Sequence, residues 1–143
     1  MPVFRHILIA VDPESPESYT RALPQAVELA RTHGATLHVM TVVPDFGSSM
    51  VASFFPAGFE KKALGRAEEA LLELTGTHVP VELEHQIVVA HGRIYQEICR
   101  VAEEVKADLV VMASHKPAAR DKFVAPNAQQ VLQRTSASVL IVR

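Results

Sequence analysis

DLVVMASHKPAARDKFVAPNAQQVLQRTSASVLIVR, from Asp108 to Arg143, is the stretch that decides the fold. Leu109 to Ala113 reads as a short buried strand, Ser114 to Lys122 as a polar loop, and a short helix then leads to a last strand, Ser138 to Val142. A loop that leaves the carboxyl end of a parallel strand and enters a helix N-terminus is where α/β folds hold phosphate. Free backbone N–H groups and the helix dipole both point at that spot.

The chain before it repeats the same rhythm. Phe4 to Val11 is a β-branched run ended by the turn signal Asp12-Pro13. Ser18 to His33 follows with Tyr19, Ala22, Leu23, Ala26, Val27 and Ala30 at helical spacing, and Gly34 stops it. Pro24 inside that stretch either kinks the helix or moves its regular start to a later residue. Thr36 to Val43 is the second strand, closed by Pro44. Ala57 to Thr75 is the second helix, with Ala63, Ala67, Ala70, Leu71 and Leu74 as its apolar face. Val81 to Val89 is the third strand, whose first half alternates polar and apolar residues as an edge strand does. Gly92 to Lys106 is the third helix, with Ile94, Ile98, Val101, Ala102 and Val105 on one face.

Strands alternating with helices imply an open, doubly wound parallel sheet with helices on both faces, a Rossmann-like α/β domain. Right-handed crossovers place a ligand crevice beyond the carboxyl ends of the strands, where the strand order reverses. Its walls would be the loops Ala10 to Pro13, Val42 to Pro44 and Met112 to Asn127. No repeat or linker divides residues 1–143, so one domain is expected. The segment Pro44 to Gly58 is long for a βα connection and carries Phe46, Met50, Val51, Phe54 and Phe55. It reads either as a lid or contact surface, or as a satellite cluster tucked on the domain's own helices.

Composition narrows the function classes. Hydrophobic residues make up 48% and charged residues 21%, and the formal net charge is −2. That balance gives no electrostatic footprint for nucleic acid or an anionic membrane. No apolar run approaches the roughly 18 residues of a membrane span. The N-terminal MPVFRHILIAVD lacks a signal-peptide layout, so a cytoplasmic protein is expected. Cys99 is the single cysteine, which leaves no internal disulfide and no cysteine-cluster metal site. It reads as a small core thiol.

Catalytic signals are thin. Ser114-His115 resembles a nucleophile beside a base, but adjacent residues at a strand end point apart and no third group orients them. His85 and His91 flank the third strand without the spacing of a metal site. Glu68-Glu69 and Glu103-Glu104 diverge by about 100° on their helices and are solvated faces rather than catalytic pairs.

HILIAVD (His6 to Asp12), THGATLHVMTVVP (Thr32 to Pro44), Gly92, ADLVVMASH (Ala107 to His115) and SVLIVR (Ser138 to Arg143) together resemble the universal stress protein family, in order and spacing, over essentially the whole chain. Ser114-His115-Lys116-Pro117 with the later Asn127-Ala128 is most similar to the branch whose loop reads Ser-His-Arg-Pro. The resemblance implies a strand order of 3-2-1-4-5. It also implies a homodimer in which the last strands, Ser138, Val139, Leu140, Ile141 and Val142, pair antiparallel. An uncharged apolar edge strand needs such cover. Many members hold an adenine nucleotide, so AMP, ADP or ATP with Mg²⁺ is the implied ligand. By position Ala10, Val11 and Asp12 would meet the adenine and ribose, with Val42 and Met112 packing the base. Ala113, His115, Lys116, Pro126 and Asn127 would face the phosphates. Asp12 also fits on chemical grounds, because a carboxylate just past a strand end accepts from ribose hydroxyls or holds magnesium; it equally suits the Asp12-Pro13 turn.

The phosphate loop departs from the family pattern. Ala113 and Lys116 stand at its first two glycine positions, Ala125-Pro126 replaces its Gly-Ser pair, and the loop is one residue shorter. Pro126 removes a hydroxyl and a backbone N–H from the helix start, although proline is well tolerated there. Mono- or diphosphate binding is therefore favoured over triphosphate. Two functional readings stand: a nucleotide-binding regulatory module of the stress response with at most slow incidental hydrolysis or self-phosphorylation, or a nucleotide-independent interaction protein with a degenerate loop.

Overall fold

The computed structural model describes residues 3–44, 58–114 and 124–143, with side chains in the last segment from residue 127 onward. In chain order they form β1 (His6–Ala10), a 3-10 turn (Pro16–Ser18), α1 (Ala22–His33), β2 (Thr36–Pro44) and α2 (Phe59–His78). There follow β3 (His85–Gly92), α3 (Ile94–Glu104), β4 (Leu109–Ala113), α4 (Val124–Arg134) and β5 (Ser138–Val142). The five strands make one sheet in the order β3-β2-β1-β4-β5, with every pairing parallel. The order reverses between β1 and β4.

Alternation along the strands builds two cores. Ile7, Ile9 and Val11 of the first strand region and Leu109, Val111 and Ala113 of β4 face α1 and α2, packing with Ala22, Leu23, Ala26, Leu71 and Leu74. Leu8 and Met40, with Val110 and Met112, face α3 and α4 and pack with Ile98, Val101, Ala102 and Val131. β1 and β4 read as continuous apolar runs because both of their faces are covered.

Several boundaries differ from the sequence expectation, each for a local reason. α1 begins at Ala22, which puts Pro24 in its first turn. The N–H groups there have no intrahelical acceptor, so proline costs nothing and makes no kink. Gly34 ends the helix at φ 65°, donating to Ala30 and Arg31 carbonyls; the left-handed conformation suits glycine. β1 is shorter than Phe4 to Val11, although Val11 N–H still reaches the Met40 carbonyl. β3 starts at His85 rather than Val81, because Leu83 N–H closes a turn on Pro80 and leaves Val81 94% exposed. The alternation of Val81 to Glu84 belongs to that turn. α2 runs to His78, three residues past the expected Thr75. Cys99 is half-buried against the α3/α4 core rather than fully inside it, and burial pushes its thiol pKa up.

At the amino ends of the strands, opposite the predicted crevice, His6 Nδ1 and His38 Nε2 lie 3.1 Å apart, with His38 only 3% exposed. Asp108 accepts the backbone N–H groups of Arg5 and His6, which holds its carboxyl below the usual range and ties β1 to the start of β4. Burial, and then the neighbouring His6, lower the His38 pKa against the opposing pull of Gln86 and Glu84. An unfolded histidine takes up its proton near pH 6.5 while folded His38 resists it. Stability contributed by neutral His38 is thus present above about pH 6.5 and falls as the pH drops toward the lowered folded value. The slope from this one group is at most about 1.4 kcal/mol per pH unit. Denaturant titrations at pH 7.5 and 5.5 should show a smaller acid loss in His38→Gln than in the parent chain. An equal loss in both would remove His38 from the account.

Candidate ligand crevice at the strand ends

The chain turns sharply after β1, and its turn is fixed from within. Asp12 donates its N–H to Ser18 Oγ at 2.8 Å, and the Ser18 hydroxyl donates back to the Asp12 carbonyl at 2.9 Å. One carboxylate oxygen of Asp12, Oδ1, accepts the Glu14 N–H at 3.0 Å, a side-chain turn of the kind aspartate favours. The other oxygen has no hydrogen bond among the described residues. Asp12 therefore serves the turn and still carries an available acceptor.

Beside that turn lies a cavity of about 540 Å³, within the roughly 300–1,000 Å³ of small-molecule pockets. It opens beyond the carboxyl ends of β1, β2 and β4, next to the point where the strand order reverses. Ala10, Val11 and Asp12 line it from β1 and its turn, Val42 from β2, Met112 and Ala113 from the end of β4, and Asn127 from the first turn of α4. Seven of the ten residues expected at a ligand site are thereby brought together. His115 and Lys116 lie outside the described residues, as do Arg120, Lys122 and the apolar side chains between Phe46 and Phe55. Pro126 is part of α4 by its backbone, and its side chain is outside the described set.

The cavity also has walls that sequence reasoning gave to the core. Ala63, Ala67 and Ala70 of α2 line it, together with Phe59, and Ile94 and Ile98 of α3 close the other side. Side-chain size gave only a partial signal. The same helix fills the core further along with Leu71 and Leu74, whereas the alanines that precede them leave space. Arg66, on the flank of that alanine face, lines the cavity too.

Two contacts hold the frame. His91 Nδ1 and Glu60 lie 3.1 Å apart, joining the end of β3 to the first turn of α2. Gly92 pairs with Pro44 and has φ 141°, and a Cβ there would come within 3.3 Å of the Glu97 side chain at the start of α3. Only glycine suits that position. His85 and His91 sit at opposite ends of β3, about 20 Å apart by strand rise, so they cannot share an ion. Among the described residues no cluster of three or more His, Cys, Asp or Glu is arranged to hold a metal, and no helix is long and apolar enough to cross a membrane.

Known proteins match this chain over nearly its full length. The universal stress protein family matches residues 4–143. Universal stress protein A homolog 1 of Coxiella burnetii is 29% identical, covering 97% of this chain and 96% of the relative. Among solved structures, a universal stress protein in complex with cAMP superposes with a TM-score of 0.62 at 20% identity, over 98% of this chain and 97% of the other. The universal stress protein from Archaeoglobus fulgidus in complex with dAMP gives a TM-score of 0.60 at 20% identity, over 99% of each chain.

Proposed function

The chain belongs to the universal stress protein family, and from that premise we propose that it is an adenine-nucleotide-binding regulatory module of the stress response, working as a homodimer without strong catalysis. The observation that carries the reading is the meeting of Ala10, Val11, Asp12, Val42, Met112, Ala113 and Asn127 in one cavity beside the reversal of strand order. Apolar side chains dominate that lining, with a few polar groups to orient a ligand, as expected for a base and sugar. In this reading Val42 and Met112 pack the adenine and the available oxygen of Asp12 accepts from the ribose hydroxyls. Asn127 and the start of α4 face the phosphate, with His115 and Lys116 of the preceding loop beside them.

The ligands of the two superposed relatives, cAMP and dAMP, each carry one phosphate. That agrees with a helix start from which Pro126 has removed a donor. For ADP or ATP, Asp12 and the nucleotide's own oxygens would hold Mg²⁺, which commonly takes one or two carboxylates plus phosphate. Hydrolysis would be slow. Among the described residues lining the cavity, the carboxylates are Asp12 and Glu14, of which Asp12 is partly committed to its turn, and no oriented base accompanies them there.

The homodimer reading is supported by β5, an uncharged strand at the sheet edge whose outer side pairs with no strand among the described residues. Such an edge invites a second copy. Val142 is buried in its own core, so in this arrangement its side chain stays home and its neighbours make the contact.

Calorimetric titration of the stripped protein with AMP, ADP and ATP, with and without Mg²⁺, tests the nucleotide reading. The expected result is saturable binding below roughly 100 μM, equivalent to about 5.5 kcal/mol. Absence of heat and of any thermal shift at millimolar nucleotide would leave the other reading, an interaction protein that works through its surface alone.

A further inference from the structure

Charge on the cavity wall singles out one residue. Among the described residues lining it, Asp12 and Glu14 are acidic and Arg66 is the one basic side chain. A phosphate entering beside two carboxylates is repelled unless a cation stands close by. The loop that would ordinarily supply close backbone donors has Ala113 and Lys116 at two glycine positions and lacks the Pro126 N–H. Alongside Lys116 of the loop, α2 brings a positive charge to this wall.

Arg66 follows Ala63 by three residues and precedes Ala67 and Ala70, the alanines that line the same wall. It is exposed, and although Glu69 lies one helical turn away it forms no ion pair with any described residue. Arg100, by contrast, is gripped by both Glu97 and Glu104. Arg66 thus keeps all five N–H donors of its planar fork available. That fork matches phosphate oxygens in pairs, and its charge persists at any physiological pH.

We propose that Arg66, reaching from α2, is the residue that reads the anionic end of the ligand and so sets preference for a nucleotide over a nucleoside. This deepens the nucleotide reading and rests on it. Phosphate recognition in this chain is then shared between the α4 start with its preceding loop and a side chain of a different helix.

Calorimetric titrations of the full chain with adenosine and with AMP, at low and high salt, separate the possibilities. Arg66→Ala is expected to weaken AMP about tenfold or more while adenosine affinity stays within about twofold. Arg66→Lys, which keeps the charge but loses the fork, is expected to fall between the two. Salt should weaken AMP binding to the parent chain more than to Arg66→Ala. Melting temperatures check that the exposed substitution leaves the fold intact. If the parent chain binds both ligands and Arg66→Ala leaves AMP unchanged, or weakens both ligands alike, the assignment of Arg66 is wrong and the nucleotide site survives. If the parent chain binds neither, the nucleotide reading fails and the role of Arg66 falls with it.

Discussion

Asp12→Asn is expected to weaken AMP binding by about tenfold or more while leaving the melting temperature near that of the parent chain. The two oxygens of Asp12, a residue that lines the cavity, differ: Oδ1 accepts the Glu14 N–H, and the other has no hydrogen bond among the described residues. Asparagine can keep the first bond through its carbonyl oxygen. Its amide nitrogen then replaces the second oxygen, a donor where the ribose hydroxyls need an acceptor. Asp12→Ala removes both functions. It should abolish measurable binding and also cost about 0.5–1.5 kcal/mol of stability through the lost turn bond. Unchanged AMP affinity in Asp12→Asn would mean that the residue serves only its turn.

Ile141→Pro is expected to convert the proposed homodimer to single chains. Ser138 donates its N–H to the Asp108 carbonyl, and the Val142 carbonyl accepts from Ser114, so these residues turn their backbone groups toward β4. In a strand, alternate residues share a direction. Leu140 therefore faces β4 as well, and Val139 and Ile141 face the open edge. Proline at 141 deletes an outward N–H and no bond within the sheet, a substitution tolerated at edges. Ile141→Ala keeps that N–H and serves as the control for lost side-chain packing. Light scattering should report the mass of two chains for the parent and Ile141→Ala, and of one chain for Ile141→Pro. A dimer that survives the proline would have to pair through another surface.

The closing β-loop-α-β was the most legible part of the sequence. Leu109 to Ala113 lies between Asp108 and Ser114, Ser138 to Val142 opens on a serine and is followed by Arg143, and both strands appear with the expected ends. Strand order came from the family resemblance, and the parallel arrangement came from the alternation of strands with helices. β3 was misplaced because Val81 to Glu84 alternates like a strand while Pro80 turns the chain there. A two-residue period cannot tell a half-exposed strand from an exposed turn.

The crevice was legible from its strand ends and less so from its helices. Asp12, Val42 and Met112 follow from the rule that ligands sit where strand order reverses. Ala63, Ala67 and Ala70 were read as core because helical spacing marks a buried face without saying what covers it. Small size alone could not separate them from core, since Ala22, Ala26 and Ala30 of α1 are also in line and are wholly buried. Arg66 carried no local signal at all, because its position relative to Asp12 depends on how α2 crosses the strand ends.

Methyl NMR of protein labelled at its four methionines, titrated with AMP, tests the central claim most directly. Met112 lines the cavity at the end of β4, while Met40 is wholly buried in the α3/α4 core. A nucleotide seated at the strand ends should move the Met112 methyl resonance saturably and disturb Met40 far less. A Met112 signal that stays fixed up to millimolar AMP would contradict a nucleotide site in this crevice.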